Sequence, residues 1–328
     1  MNRPELFDED FLKKLARLKW LVQKTVYSGT GGEKSLRQKG GRLEFSDYRK
    51  YSPGDETRYI DWNIFGRTEK LFIKEFAREE SFPVYLLLDT TTSMKTPGPA
   101  RNKTKGIKFK YTCQIAAALG YIGLITRNRL QLFGFSDKTL KHSPVFQKEN
   151  QIFGALKFLE SLIPHGETHL TLILNSLNKQ IRKKGLLILI SDLMGFQPAS
   201  PAGKPESESL AIAGLAPLSA GREILEFVRR GFDVSIFHLL DQEEEQPFAP
   251  PWRDGPVKLK DSETGATKTV FINKKIELLY RQTLKQFIEE WHSFCLQHGI
   301  KYFHVDTPAG AGLETLILTF LRQGGLLK

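Results

Sequence analysis

Five residues of this 328-residue chain combine oxygen chemistry with a spacing that can bring them together: Asp89, Thr91, Ser93, Thr168 and Asp192. The first three alternate within Asp89-Thr90-Thr91-Thr92-Ser93. In an extended loop their side chains can point one way while Thr90 and Thr92 point elsewhere. Thr168 lies in the loop His165-Gly166-Glu167-Thr168, and Asp192 follows Ser191 at the end of an apolar run. Carboxylates and hydroxyls are hard donors of the kind that Mg²⁺, Mn²⁺ or Ca²⁺ takes. Few carboxylates and several hydroxyls leave such an ion partly hydrated, able to accept a carboxylate from a partner. The expected chemistry is binding and not catalysis.

These residues need strand ends to hold them. Val84 to Leu88 is a short apolar run closing on Asp89, and Leu186 to Ile190 is a second, closing on Ser191-Asp192. Such runs suit central parallel strands covered on both faces. Between and after them, helical patterns alternate with strands. One helix carries Tyr111, Ile115, Ala118, Ile122 and Ile125 on one face, and a long one runs through Phe287 and Trp291 to Cys295. The rhythm predicts an α/β fold, a doubly wound, mainly parallel sheet, in which ligands bind beyond the carboxyl ends of the strands where strand order reverses.

The sheet domain is expected over residues 83–328. Within it, 197–220 is rich in Pro, Ser, Gly and Ala and reads as a mobile loop. Residues 257–272, with Asp261-Ser262-Glu263-Thr264-Gly265 at the middle, read as an inserted β-hairpin. Residues 1–82 read as an N-terminal accessory module: an amphipathic helix, a Gly-rich stretch and short strands.

Composition narrows the class. With 40% apolar and 26% charged residues the chain is expected to be an ordinary globular protein. It has no run of about 18 apolar residues to cross a bilayer, and its charged N-terminus lacks the apolar core of a secretory signal. A cytoplasmic location is expected. Cys113 and Cys295 read as small buried hydrophobes rather than a disulfide framework. The net charge of +11 admits a nucleic-acid partner, an anionic surface or an acidic protein partner. However, the short basic clusters, among them Lys103 to Lys110, read as solvated helix faces.

Other constellations fail on spacing. Gly29 to Ser35 resembles a phosphate loop, but Glu33 separates Gly32 from Lys34 and no strong strand precedes it. His165 and His169 are four apart in a loop that Gly166 interrupts, which argues against a zinc-binding helix. No Gly-x-Ser-x-Gly elbow is present. The crowded Asp55, Arg58, Asp61 and Trp62 read as a local ion pair and Trp anchor joining the N-terminal module to the sheet.

Asp-x-Thr-x-Ser-Met after an apolar strand resembles the metal-ion-dependent adhesion site of von Willebrand factor A domains. Thr168 and Asp192 match that site's later threonine and aspartate. The run Leu43-Glu44-Phe45-Ser46-Asp47-Tyr48-Arg49-Lys50-Tyr51-Ser52-Pro53-Gly54-Asp55, continuing through Arg58-Tyr59-Ile60-Asp61-Trp62, resembles the bacterial family called domain of unknown function 58. One departure is Thr91, which stands where serine is commonest; it keeps the hydroxyl and adds a methyl. The resemblance implies a metal-dependent protein-interaction module, an adaptor or substrate recogniser working with a MoxR-type AAA+ ATPase. Two other readings remain open: a nucleic-acid-associated basic protein with a structural metal site, and a metal-dependent phosphohydrolase.

Overall fold

The structure, a computed structural model, describes residues 6–7, 9–28, 43–53, 55, 57, 60–78, 81–95, 107–137, 139–167, 169–194, 196–197, 218–219, 221–245, 255–260, 267–307 and 313–323. At its centre is a six-stranded sheet. Its strands are β3 (Pro83–Asp89), β4 (Arg129–Ser136), β5 (Thr139–His142), β6 (Leu186–Ser191), β9 (Asp233–Asp241) and β12 (Lys301–Thr307). The order is β12-β9-β6-β3-β4-β5, parallel throughout except for β5, which turns back along β4. The doubly wound, mainly parallel sheet read from the sequence is therefore present.

Helices cover both faces. On one lie α1 (Glu9–Ser28), α3 (Ile107–Ile125), α4 (Ile152–Ser161) and α9 (Leu313–Gln323), packed on Leu86, Leu88, Leu132 and Ile190. On the other lie α5 (Leu170–Gln180), α6 (Gly221–Arg229) and α8 (Lys274–Gln297), packed on Leu87, Phe133, Leu189 and Ile236. Adjacent residues of β3 and β6 thus belong to opposite cores, as alternation along a strand requires.

Helix α3 departs from the one-faced pattern expected of it. Cys113, Ile115, Ala116, Ala117, Ala118 and Leu119 are all buried, because the helix lies between the sheet and the helices α1, α4 and α9. A helix that is apolar all round is a buried one. Both cysteines are free and buried, as expected.

The packing crosses the boundary drawn at residue 83. Phe7, Phe11, Leu15 and Leu18, on and just before α1, sit in the same core as α3. The rest of the N-terminal region is a two-stranded antiparallel ribbon, β1 (Leu43–Lys50) with β2 (Phe72–Arg78), joined through the short helix α2 (Trp62–Thr68). Asp61 caps α2 by accepting from the Asn63 and Ile64 amides and ties it to β1 by accepting from the Tyr48 hydroxyl at 2.9 Å. Asp55 makes a bidentate ion pair with Arg49, a residue that the expected local pair did not include. The Trp anchor needs correction: Trp62 is 63% exposed and stacks edge-on against Phe65 at the surface. Arg58 lies outside the described residues, as does the Gly-rich stretch at 29–35.

The hairpin expected at 257–272 is an antiparallel pair, β10 (Gly255–Lys260) with β11 (Thr267–Ile272), separate from the main sheet. Of the loop 197–220, the described ends form a short parallel pair, β7 (Phe196–Gln197) with β8 (Leu218–Ser219); residues 198–217 and 220 lie outside the description. Among the described residues, no helix is long and apolar enough to cross a membrane.

Candidate metal centre at the β3–β6 edge

Strand β3 is the first of the parallel strands. The chain adds β4 on one side of it and then crosses to add β6 on the other. The strand order therefore reverses at β3, and the carboxyl ends of β3 and β6 flank the crevice where open α/β sheets bind ligands. Those ends carry Asp89 and Ser191-Asp192.

The loop after β3 is fixed from both sides. Thr90 turns away from the crevice, its amide and hydroxyl both donating to the Phe135 carbonyl of β4 at 2.8 and 2.7 Å. Its own carbonyl accepts from the His165 amide, and the Thr92 amide donates to the Gly166 carbonyl at 3.0 Å. These bonds hold the 163–167 segment beside the Asp89 loop. Gly166 has φ +74°, and a Cβ there would meet the Asp137 side chain at 2.9 Å, so the segment's fit depends on glycine. Thr168, the fifth sequence-derived ligand, lies outside the described residues. His165 lies against the Ser136 hydroxyl and the Ile163 carbonyl, a loop-packing role.

Asp89, Thr91, Ser93 and Asp192 lie together at this edge. The Asp89 Oδ1 accepts from the Thr91 amide at 3.0 Å and the Thr91 hydroxyl at 2.6 Å, while its Oδ2 accepts from the Ser191 hydroxyl at 2.6 Å. Thr91 Oγ1 lies 3.0 Å from Ser93 Oγ. Asp192 Oδ1 accepts from the Met194 amide at 3.0 Å, and the Ser93 hydroxyl lies within its reach. Between them, Leu193 adopts φ +53°, a left-handed conformation uncommon for a bulky residue. It turns the chain so that Asp192 faces the crevice.

Two residues of this edge were not legible in the sequence. Lys108, the second residue of α3, is fully buried, and its Nζ lies 2.7 Å from Asp192 Oδ2. It also donates to both carboxylate oxygens of Glu244, at 2.7 and 2.9 Å. Glu244 belongs to the one-turn helix α7 (Gln242–Glu245) that follows β9. The solvated-face reading of the basic run Lys103 to Lys110 therefore fails at Lys108. The available signal was its helical register with Thr112 and Ile115, both buried.

The electrostatics are uneven. Burial, and then the negative charge of Asp192, push the Asp89 carboxyl up to about 7, against the hydrogen bonds from Ser191 and Thr91. Asp192 goes the other way: burial would raise it, but the Lys108 ammonium holds it below the usual carboxylate range. Burial likewise opposes the charge on Lys108, yet Asp192 and Glu244 together hold its pKa above the ordinary value. The edge thus has an ionised pair, Lys108 and Asp192, beside a carboxyl, Asp89, that has no positive charge of its own among the described residues. Hard oxygen donors with one under-compensated carboxylate fit a divalent cation. Asp89, Thr91, Ser93 and Asp192 would hold it directly or through water, and it would supply a Lewis-acidic point for an incoming anion.

A group with two histidines, His238 and His304, adjoins the edge. Asp89 is level with Phe135 on β4, and Ser191 on β6 pairs with His238 on β9, which pairs with His304 on β12. The His238 Nδ1 lies 2.6 Å from the Tyr302 hydroxyl. Burial, and then the neighbouring His304, lower its pKa to about 3.

Comparison with known proteins identifies the family of the chain. A family model described as protein of unknown function DUF58 matches residues 47–287. Two curated relatives, uncharacterized proteins of Mycobacterium bovis and Mycobacterium tuberculosis, are each 21% identical over 198 residues, 60% of this chain. The chain spans 61% of the length of these relatives. Among solved structures, the SpRpn10 VWA domain is similar at a TM-score of 0.36 and 10% identity, over 73% of this chain and 95% of that one. An aerotolerance-related membrane protein from Bacteroides fragilis is similar at 0.37 and 12%, over 74% and 98%. Both are loose likenesses of shape. The family match covers most of the chain and includes both the Arg49–Asp55 region and the edge residues: the protein belongs to the DUF58 family, and its fold is a doubly wound, mainly parallel α/β sheet.

Proposed function

We propose that this protein is a metal-dependent protein-interaction module of the cytoplasm, an adaptor or substrate recogniser that works with a MoxR-type AAA+ ATPase. The observation that carries this reading is the convergence of Asp89, Thr91, Ser93 and Asp192 at the strand-order reversal. There, the hydrogen-bonded chain from Ser191 through Asp89 to Thr91 and Ser93 leaves one carboxylate without a cation among the described residues. A divalent ion held by few carboxylates keeps residual charge and an exchangeable water position. A partner's Asp or Glu can take that position, so that metal occupancy and partner affinity are coupled. The ion binds and orients in this reading; no bond of a substrate is broken.

The test is binding to a candidate AAA+ partner with Mg²⁺, with chelator, and with Asp89→Ala or Thr168→Ala. The reading expects affinity to fall in chelator and in both variants. Equal affinity in all conditions removes the metal from recognition. Binding to nucleic acid that ignores chelator and falls steeply with salt would favour the basic-surface reading instead.

A further inference from the structure

Lys108 places a permanent cation where the metal reading needs a free carboxylate. Its ammonium has three hydrogens and three acceptors within 2.9 Å: one oxygen of Asp192 and both of Glu244. The side chain is fully buried, and Asp192 is 1% exposed, so water offers neither group an alternative partner. Glu244 is fixed in turn, because its Oε2 also accepts from the Asp241 amide at 2.9 Å and its carbonyl accepts from the Tyr280 hydroxyl at 2.6 Å. Helix α3 and the β9–α7 corner therefore present Lys108 to Asp192 rigidly.

We propose that Lys108 is the residue that sets the metal affinity of this edge, by competing with the divalent ion for Asp192. This rests on the metal reading above and deepens it. An ion entering the crevice meets Asp89 with its charge uncompensated, but Asp192 already bonded to an ammonium. Like charges repel strongly at such distances in a buried site. Either the ion shares Asp192 with Lys108 through water, or Asp192 turns from Lys108 toward the ion and leaves the ammonium to Glu244. In both cases the protein's own ligands hold the ion less firmly than their number implies, and a carboxylate from outside gains correspondingly more. Glu244 is the counter-charge that lets Lys108 remain inside while Asp192 is engaged.

The experiment is calorimetric titration of the metal-free full chain with Mg²⁺ and Mn²⁺, comparing wild type with the double variant Lys108→Met/Glu244→Gln. The pair removes one positive and one negative charge, so the formal charge of the edge is unchanged. Competition at Asp192 predicts tighter binding in the double variant, by on the order of tenfold. The ammonium that is lost contacts Asp192 directly, whereas the carboxylate lost with it reaches Asp192 only through Lys108. Unchanged affinity would mean that only net charge matters, and weaker affinity would mean that Lys108 orients Asp192 for the ion; either overturns the proposal while leaving the metal reading in place. Binding absent from both proteins overturns the two together. Should circular dichroism show that double variant unfolded, Lys108→Gln/Glu244→Gln, which keeps a hydrogen-bonding side chain at 108, carries the test against Lys110→Gln/Glu244→Gln, which deletes the lysine charge two residues along the same helix. A gain at position 108 no larger than that at 110 overturns the proposal.

Discussion

The hydroxyl of Ser191 donates to the buried carboxylate of Asp89 at 2.6 Å, across two neighbouring strands and 102 residues of sequence. The same Ser191 oxygen accepts from the Leu193 amide at 3.0 Å, so one side chain ties Asp89 to the left-handed turn that aims Asp192. Ser191→Ala removes the donor to a buried carboxylate and the acceptor for a buried amide together. We expect a loss of about 1–3 kcal/mol in urea unfolding, the cost of leaving buried polar groups unpaired. A loss below about 0.5 kcal/mol, as at an ordinary surface site, would show that the turn does not depend on this bond.

Lys108→Met alone should be far more damaging, about 3–5 kcal/mol, because it leaves Asp192 buried without its counter-charge. Adding Glu244→Gln should cost less than the sum of the two single changes, since all three groups form one network. Additive losses in chemical denaturation would contradict the network.

Gly185, at the residue before β6, has the Pro83 carbonyl oxygen 2.2 Å from where a Cβ would stand. Backbone cannot give way as a flexible side chain can, so Gly185→Ala should push β3 and β6 apart and cost about 1–3 kcal/mol. Gly255→Ala, with nothing within 4 Å of its Cβ, serves as the control. Thermal melting of the two variants side by side decides it, and equal midpoints would show that the strands separate there without cost.

His238 gives a pH dependence whose sign follows from burial. Its folded pKa, about 3, is depressed from an ordinary 6.5. The unfolded chain therefore takes up a proton that the folded one refuses. The stability that neutral His238 provides is complete above pH 6.5 and is lost as pH falls from 6.5 toward 3. The groups that face it are Tyr302, His304, Asp192 and Lys108. Melting temperatures at pH 7, 6 and 5 should fall more steeply for wild type than for His238→Gln. Parallel slopes would assign the acid sensitivity to other groups.

The strands that build the edge were legible because they are short apolar runs ending in polar residues. The alternation of Asp89, Thr91 and Ser93 likewise carried over directly, with Thr90 tied back to β4. What the sequence hid was long-range pairing. Lys108 stands in a basic run and looks solvated until the fold brings Asp192 and Glu244, 84 and 136 residues away, to its ammonium. Trp62 misled in the opposite sense, since a large aromatic beside charged residues reads as an anchor, yet the short helix α2 turns it outward. Helix α3 looked one-faced because its pattern was read along the row from Tyr111 to Ile125, whereas Cys113, Ala116, Ala117 and Leu119 bury the remaining faces.

The central claim is that a divalent ion binds at the β3–β6 edge through Asp89, and direct titration of the metal-free chain tests it. Calorimetry with Mg²⁺ or Mn²⁺ should show saturable binding to wild type and none to Asp89→Ala, with circular dichroism the same for both proteins. No saturable binding to wild type, or the same affinity in a folded Asp89→Ala, would contradict the account and leave Asp89 as a strand-end cap.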